Sequence, residues 1–245
     1  MILDPSTHSN LRSRKRIDLL FSRLCQIAAG LGVLILVIFL VKIIVDGVQN
    51  ISWSFIVGDL SQRPTRTGIW PAIVGSIYVM LLTALFSVPV GIAAAIYLEE
   101  FNRRKSRLIS IIQLNIANLS GVPSIVYGLL GRFLFVYFFG FKQSIIAGAL
   151  TMTLLILPTV IIVTQEALKA VPQSYREGSM ALGSTQWQSI RLQVLPNALS
   201  GILTGVILSI SRAIGETAPL IVVGAASYVS SLPKNLGSRS EIDCE

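Results

Sequence analysis

Residues 143–165 read QSIIAGALTMTLLILPTVIIVTQ, without a single aspartate, glutamate, lysine or arginine. A helix needs about 20 apolar residues to cross a hydrocarbon core about 30 Å thick, so this segment is long enough to span a membrane. Four further stretches are also apolar and free of these charged residues, except for Arg132 in the third of them: 24–41, 67–98, 108–141 and 192–211. The sequence therefore predicts five membrane-spanning helices.

The composition of the whole chain points the same way. Of 245 residues, 53% are hydrophobic and 13% are charged, and the mean hydropathy is +0.72. Soluble domains carry about 25% charged residues. These figures exclude a water-soluble globule, a disordered chain, and a collagen-like or disulfide-built protein. We expect an all-α membrane protein whose apolar surface is covered by lipid.

The net charge of +8 predicts an orientation, because basic residues collect on the cytoplasmic side of membrane spans. With the N-terminus in the cytoplasm, most basic residues lie in cytoplasmic segments, above all RSRKR at 12–16 and EEFNRRKSR at 99–107. The chain then divides into a cytoplasmic tail (1–23), a first spanning helix (24–45), an outer loop (46–66), a core of four further spans (67–232) and a polar tail (233–245).

Charged side chains inside the predicted spans are the candidates for a function within the membrane, because burying them in lipid is costly. Arg212 and Glu216, in SISRAIGETAPL, are four residues apart and share one face of the fifth predicted helix, which Gly215 and Pro219 could loosen locally. A guanidinium presents a planar fork of donors to an oxyanion. One hypothesis is that Arg212 and Glu216, together with the hydroxyl of Thr217, line a pathway through the membrane. The alternative is that the two charges form an ion pair that only supports helix packing.

Arg132 is a second candidate for the pathway. It interrupts the third predicted span near its outer end. The alternative is that the side chain reaches to the membrane interface and only anchors the helix.

The long cytoplasmic connection, residues 166–196, has the pattern of two short helices. Ser174 and Glu177 have the spacing of a capping box, and Thr185 and Gln188 repeat it. Gly183 between them is suited to end the first helix in the left-handed conformation. Such an element favours docking of another protein, although an ordinary amphipathic loop has the same pattern.

Gly201 and Gly205 have the small-xxx-small spacing that lets two membrane helices approach closely. The spacing predicts a packing face, either within the chain or towards a partner subunit.

Signatures of an enzyme are missing from the sequence. It has no Gly-x-x-x-x-Gly-Lys-Ser/Thr loop for ATP, its one histidine is His8 in the polar N-terminal segment, and no His, Cys and carboxylate cluster has metal-site spacing. We expect no catalytic residue, no metal and no cofactor bound by this chain.

The connecting loop resembles the EAA loop of type I ABC importer permeases. Glu177, Gly183, Leu195 and Pro196 are in register with that motif, while Gly178 and Ser179 replace its two alanines and Gln193 its isoleucine. The resemblance implies the type I ABC importer transmembrane fold. It also implies that the loop docks on a separate ATPase subunit through these residues: Glu177, Gly178, Ser179, Ala181, Leu182, Gly183, Leu195 and Pro196.

Within that family, three segments are similar to the PstA-like phosphate permease subunits: 91–101 (GIAAAIYLEEF), 122–129 (VPSIVYGL) and 201–220 (GILTGVILSISRAIGETAPL). The resemblance implies a subunit of an ATP-driven phosphate importer in the bacterial cytoplasmic (inner) membrane, with Arg212 and Glu216 in the translocation path and a periplasmic loop at 46–66. The implied partners are a PstC-like second permease, a PstB-like ATPase dimer that carries ATP and Mg²⁺, and a periplasmic phosphate-binding protein.

The end of the chain departs from that family, whose members have six spans. The sequence turns polar at Leu232 and ends in GSRSEIDCE, so we expect the sixth span to be missing and assembly to be impaired. Two alternatives therefore stay open: an importer of another oxyanion, such as sulfate or molybdate, and a membrane scaffold that does not transport.

Overall fold

The computed structural model describes residues 6–48, 51–58, 68–101 and 107–224, which are nearly all helical. The helices are α1 (Ser6–Val48), α2 (Trp53–Val57), α3 (Trp70–Ile96), α4 (Arg107–Ser120), α5 (Ser124–Gly131), α6 (Ile145–Lys169), α7 (Gln173–Ala181), α8 (Gln186–Ser189), α9 (Leu195–Ile214) and α10 (Ala218–Val223). Three π-helical segments continue α3, α5 and α8, at Tyr97–Phe101, Arg132–Phe138 and Ile190–Val194.

Three predicted features lie outside these described residues. They are the basic loop at 102–106, the middle of the outer loop at 59–67, and the polar tail at 233–245 together with the missing sixth span.

Four helical segments are long and apolar enough to cross a membrane: Ile17–Val48, Trp70–Phe101, Ile145–Lys169 and Gln186–Ile214. A bent pair of helices, Arg107–Ser120 with Ser124–Phe138, gives a fifth candidate. The predicted all-α, multi-pass membrane architecture is confirmed.

The third predicted span is not one straight helix, which corrects the sequence prediction. α4 and the helix that starts with α5 differ in direction by 102°. Pro123 explains the break, because proline disfavours the helical conformation at Val122 before it and has no amide hydrogen to donate. The amides of Gly121 and Val122 instead bond to carbonyls three residues back, at 3.1 Å each. The segment is thus a broken span or a re-entrant loop.

The first compact unit of the chain ends at Ile56 and is dominated by α1. This helix extends beyond the predicted span 24–45 in both directions, and it includes most of the predicted tail 1–23. The segment between Ser6 and the apolar run contains neither proline nor glycine, so no strong helix breaker ends the helix before that run. From Ile17 onward its apolar side chains are exposed, which suits a lipid surface and not water.

α3 and α6 form the centre of the second unit and run in the same direction. The Thr83 hydroxyl donates to the carbonyl of Ala149 (3.3 Å), and further along both helices Gly91 lies directly against Val160. Both positions on α6 are completely buried. Parallel packing is what two spans separated by one intervening span require, so the relative directions agree with the predicted order.

α9 packs antiparallel to α6 through the predicted glycine face. A Cβ atom added at Gly205 would lie 2.8 Å from Cβ of Val163, and one added at Gly201 would lie 3.0 Å from Cβ of Ala167. The small-xxx-small pattern therefore packs within the chain, where it brings the two helix backbones close together.

Candidate functional site

A cavity of about 330 Å³ lies where α4, α5, α6 and α9 meet. Its polar lining consists of five hydroxyl side chains and two charged ones, which are Ser120, Ser124, Tyr127, Thr159, Ser209, Arg212 and Glu216. A space of this size holds several water molecules or a small polar solute. Within the described residues, no group of three or more His, Cys, Asp or Glu side chains is placed to hold a metal ion.

Arg212 and Glu216 line this cavity together, but they do not share a face of one continuous helix. α9 ends at Ile214, between them, and the amides of Gly215 and Glu216 bond to carbonyls three residues back. Glycine lowers helix propensity, and Pro219 restarts the chain as α10. The predicted single helix through both residues is wrong. The two side chains nevertheless lie at the same cavity, because the turn after Ile214 keeps Glu216 on the side of Arg212.

The ion pair considered in the sequence analysis is not formed. Among the residues that the structure describes, neither the guanidinium of Arg212 nor the carboxylate of Glu216 has a hydrogen bond or salt bridge. Arg212 is exposed and Glu216 is half-buried at the cavity. Both charged groups are therefore available to a solute in the cavity.

The other two predicted residues lie elsewhere. Thr217 precedes α10 and is not part of the cavity lining. Arg132 donates to the carbonyl of Val222 (3.3 Å) and to the hydroxyl of Tyr137 (3.4 Å), and it lies over the Tyr137 ring. Arg132 thus connects the helix after α5 to α10, which is a packing role.

Tyr127 is a cavity residue that the sequence analysis did not single out. It is buried, and its hydroxyl donates to the carbonyl of Leu119 (2.8 Å), across the break between α4 and α5. The bond holds the two helices at their large angle and so shapes one wall of the cavity. No local pattern indicates this role, because it depends on the bend.

α7, α8 and the π-helical segment after them form a two-helix element, residues 173–194. α7 begins at Gln173, directly after Pro172, and no side chain caps it. The predicted capping box at Ser174 is therefore wrong, since Pro172 occupies the N-cap position and Ser174 is already the second residue of the helix. The second predicted box is present: Oγ1 of Thr185 accepts from the amide of Gln188 (3.3 Å), and Oε1 of Gln188 accepts from the amide of Thr185 (2.8 Å).

Gly183 ends α7 as predicted. Its φ is +85°, its amide bonds to the carbonyl of Met180 (3.0 Å), and the amide of Ser184 bonds to that of Ser179 (3.2 Å). These two bonds are those of a Schellman motif, which requires the left-handed conformation that glycine adopts without strain.

Changing Gly183 to Ala is expected to weaken this turn by about 1–2 kcal/mol, the cost of a Cβ atom in the left-handed conformation. Open space surrounds the position, so the effect is conformational and not steric. Hydrogen exchange of the Gly183 and Ser184 amides in the detergent-purified chain measures it. Gly178→Ala is the matched control, because Gly178 is helical and also in open space, and exchange there should not speed up.

The predicted motif residues of the two-helix element divide between its surface and its interior. Glu177, Gly178 and Ala181 are exposed, and Leu182 at the tip is 89% exposed. Ser179 is buried and its hydroxyl is hydrogen-bonded to that of Ser189, which joins α7 to α8. Leu195 and Pro196 begin α9. The two-helix element thus exposes the apolar side chain of Leu182 at its tip, and the Ser179–Ser189 hydrogen bond connects its two helices.

Comparison with protein families gives one match over most of the chain. Residues 87–242 match the family described as binding-protein-dependent transport system inner membrane component. The matched range contains the cavity residues Arg212 and Glu216 and the whole two-helix element.

Curated relatives carry permease names. The chain is 36% identical over 225 residues to the probable ABC transporter permease protein YqgH of Bacillus subtilis (strain 168), covering 86% of this chain and 71% of the relative. It is 38% identical over 190 residues to the phosphate transport system permease protein PstA 1 of Mycobacterium tuberculosis (strain ATCC 25618 / H37Rv), covering 78% and 61%. It is 33% identical over 235 residues to the phosphate transport system permease protein PstA of Haemophilus influenzae (strain ATCC 51907 / DSM 11121 / KW20 / Rd), covering 94% and 81%.

Solved structures of the MetNI methionine ABC transporter in inward-facing conformations are similar in fold. One has a TM-score of 0.51 and 21% identity, covering 64% of this chain and 73% of the matched chain. Another has a TM-score of 0.50 and 19% identity, covering 60% and 68%. At these identities the likeness establishes the fold alone, which is that of an ABC importer membrane domain.

Proposed function

The chain belongs to the binding-protein-dependent transport system inner membrane component family, and we propose that it is a permease subunit of an ATP-driven importer of inorganic phosphate. It is a multi-pass membrane protein, and in this proposal it lies in the bacterial cytoplasmic (inner) membrane with its N-terminus in the cytoplasm. The names of the PstA relatives support phosphate as the substrate.

The observation that carries the proposal is the guanidinium of Arg212, which has no hydrogen bond or salt bridge among the described residues and lines the same hydroxyl-containing cavity as Glu216. A guanidinium binds an oxyanion through two parallel hydrogen bonds. The hydroxyls of Ser124 and Thr159, which make no hydrogen bond among the described residues, add two further donors. Those of Ser120, Tyr127 and Ser209 already donate to backbone carbonyls. A carboxylate accepts only, so Glu216 favours an oxyanion that still carries a proton. Phosphate is protonated near neutral pH and sulfate is not, which favours phosphate as the occupant.

The energy source and the partners follow from the proposal. ATP and Mg²⁺ bind to a separate PstB-like ATPase dimer, and this chain binds no cofactor of its own. The exposed tip of the two-helix element, with Glu177 and Leu182, docks on that ATPase. A PstC-like second permease completes the path, and a periplasmic phosphate-binding protein delivers the substrate.

Reconstitution tests this function. The chain is co-expressed with the second permease and the ATPase, and the purified complex is placed in proteoliposomes with the binding protein. We expect ATP-dependent uptake of radiolabelled phosphate that excess sulfate or molybdate does not inhibit. Equal competition by sulfate would assign another oxyanion, and a chain that purifies without an ATPase or a second permease would be a scaffold.

A further inference from the structure

Glu100 and Arg176 form a buried ion pair that lies apart from the cavity. Nη2 of Arg176 is 2.6 Å from Oε1 of Glu100, and Nε donates to both carboxylate oxygens at 3.1 and 3.2 Å. The side chains are 4% exposed for Glu100 and 6% exposed for Arg176. Glu100 is the second-last residue of the helix that contains α3, which ends at Phe101, and Arg176 lies on α7. The pair therefore joins a candidate membrane span to the two-helix element.

The same guanidinium also holds the C-terminal end of α6. Nη1 donates to the carbonyl of Val171 (2.6 Å) and Nη2 to that of Leu168 (2.7 Å), which lie at the end where helix carbonyls lack intrahelical partners. A positive charge is favourable at this end of a helix. Arg176 therefore connects α7 to both α6 and the helix of α3.

α8 is attached at the same point. Nε2 of Gln186, the first residue of α8, donates to the backbone carbonyl of Glu100 (2.6 Å). The Trp187 ring beside it lies 6.3 Å from the ring of Phe101. Both helices of the element are thus fixed to the end of one span.

A buried ion pair contributes little net stability compared with apolar side chains of similar volume, because desolvation offsets the attraction between the charges. What the pair supplies is a defined geometry. The guanidinium of Arg176 binds the carboxylate through a planar fork of donors. Its two bonds to backbone carbonyls and the contacts of Gln186 and Trp187 limit the orientation of the two-helix element further. The arrangement is therefore suited to transmit displacement.

We propose that Glu100 and Arg176 are a positioning pair that transmits movement of the two-helix element into α3 and α6. This inference rests on the proposed function, because it assigns the source of the movement to an ATP-driven partner. α3 and α6 are packed along their length, and α6 supplies Ile156 and Thr159 to the cavity. Displacement at the pair thus reaches the cavity through packed helices.

The double variant Glu100→Leu/Arg176→Met tests this role by removing both charges of the pair together. The matched control is Glu166→Leu, which breaks the exposed ion pair of Glu166 with Lys169 at the end of α6 (3.3 Å, side chains 67% and 49% exposed) and leaves Lys169 beside Glu99 (4.0 Å). In the reconstituted complex, we expect phosphate transported per ATP hydrolysed to fall about tenfold in the buried-pair variant, a common size for coupling between two sites. The control should keep the ratio, because exposed pairs contribute little.

The conservative variant Arg176→Lys gives an intermediate test. Lysine keeps the charge, but it is a point charge without the planar fork and cannot bind the carboxylate and two carbonyls in the same geometry. Phosphate transported per ATP should therefore fall between wild type and the double variant.

Fluorescence of Trp187 tests the attachment without any ATPase or phosphate. After Trp53→Phe and Trp70→Phe, Trp187 is the only tryptophan in the chain. In the detergent-purified full chain, the buried-pair variant should lower the anisotropy of Trp187 and increase its quenching by acrylamide, and the exposed-pair control should not.

The outcomes separate this inference from the proposed function. An assembled buried-pair variant with the wild-type ratio of transport to hydrolysis would overturn the inference. If that variant does not assemble, unchanged Trp187 anisotropy overturns the inference and lowered anisotropy supports it. A wild-type complex that assembles and transports no phosphate contradicts the proposed function, while the Trp187 comparison still tests the attachment.

Discussion

Changing Arg212 to Gln is expected to lower the initial rate of ATP-dependent phosphate uptake by about 10- to 100-fold, with assembly of the complex unchanged. A hydrogen bond to a charged group contributes about 1.5–3 kcal/mol, and each 1.36 kcal/mol corresponds to a factor of ten in rate. Glutamine keeps a donor and much of the length of the side chain, but it removes the positive charge and the fork.

The cavity explains why this effect should be local. Arg212 is exposed in the last turn of α9 and, among the described residues, bonds to no other side chain, so its replacement breaks no packing contact that holds the fold. Arg212→Lys should give a smaller loss, because lysine retains the charge without the planar geometry.

Arg107→Gln is the control for a general effect of charge. Arg107 is exposed at the start of α4 and does not line the cavity. Uptake should match wild type in this variant. An assembled Arg212→Gln complex that takes up phosphate at the wild-type rate would remove Arg212 from the mechanism.

Changing Gly131 to Ala is expected to destabilise the chain by about 1–3 kcal/mol, the usual cost of overpacking a buried site. A Cβ atom at this position would lie within 2.8 Å of three side-chain atoms of Thr151, which is completely buried. Thr151 cannot easily rotate away, because its hydroxyl donates to the carbonyl of Ala147 (2.7 Å). α5 and α6 would have to separate.

Gly75→Ala is the matched control for this prediction, because Gly75 is in α3 with no atom near its Cβ position. Alanine has the higher helix propensity, so the control should be neutral or stabilised by up to about 1 kcal/mol. The second change Thr151→Ala should recover part of the loss by removing two of the three clashing atoms. The measurement is the apparent melting temperature of the purified chain in detergent, and equal values for Gly131→Ala and Gly75→Ala would contradict the packing argument.

Much of the helical structure could be predicted because its signals are local. The apolar run at 143–165 predicted α6 to within a few residues, since the transfer of its side chains into lipid depends only on their composition. The helix end at Gly183 and the capping box at Thr185 were predicted correctly for the same reason, because their hydrogen bonds join residues at most five positions apart. The predicted capping box at Ser174 was wrong, because α7 begins earlier, directly after Pro172.

The site was predicted only in part. Arg212 and Glu216 were recognised because charged residues are rare in apolar segments. Gly215 and Pro219 predicted only a local loosening there, whereas α9 ends at Ile214, between the two charged residues. The break at Pro123 that forms another wall of the cavity was missed, since proline occurs inside unbroken membrane helices as well, as Pro89 in α3 and Pro158 in α6 do here.

Hydropathy, capping and turn preferences depend on near neighbours, so they were enough to identify a basic, multi-pass helical membrane protein with a loop of two short helices. The contact between Glu100 and Arg176, 76 positions apart, and the position of Arg212 at a cavity built by four helices became visible only in the folded chain. Such contacts depend on which helices pack in parallel and where each of them ends. Those features arise from side-chain packing between distant segments, as at Gly91 with Val160 and Gly205 with Val163.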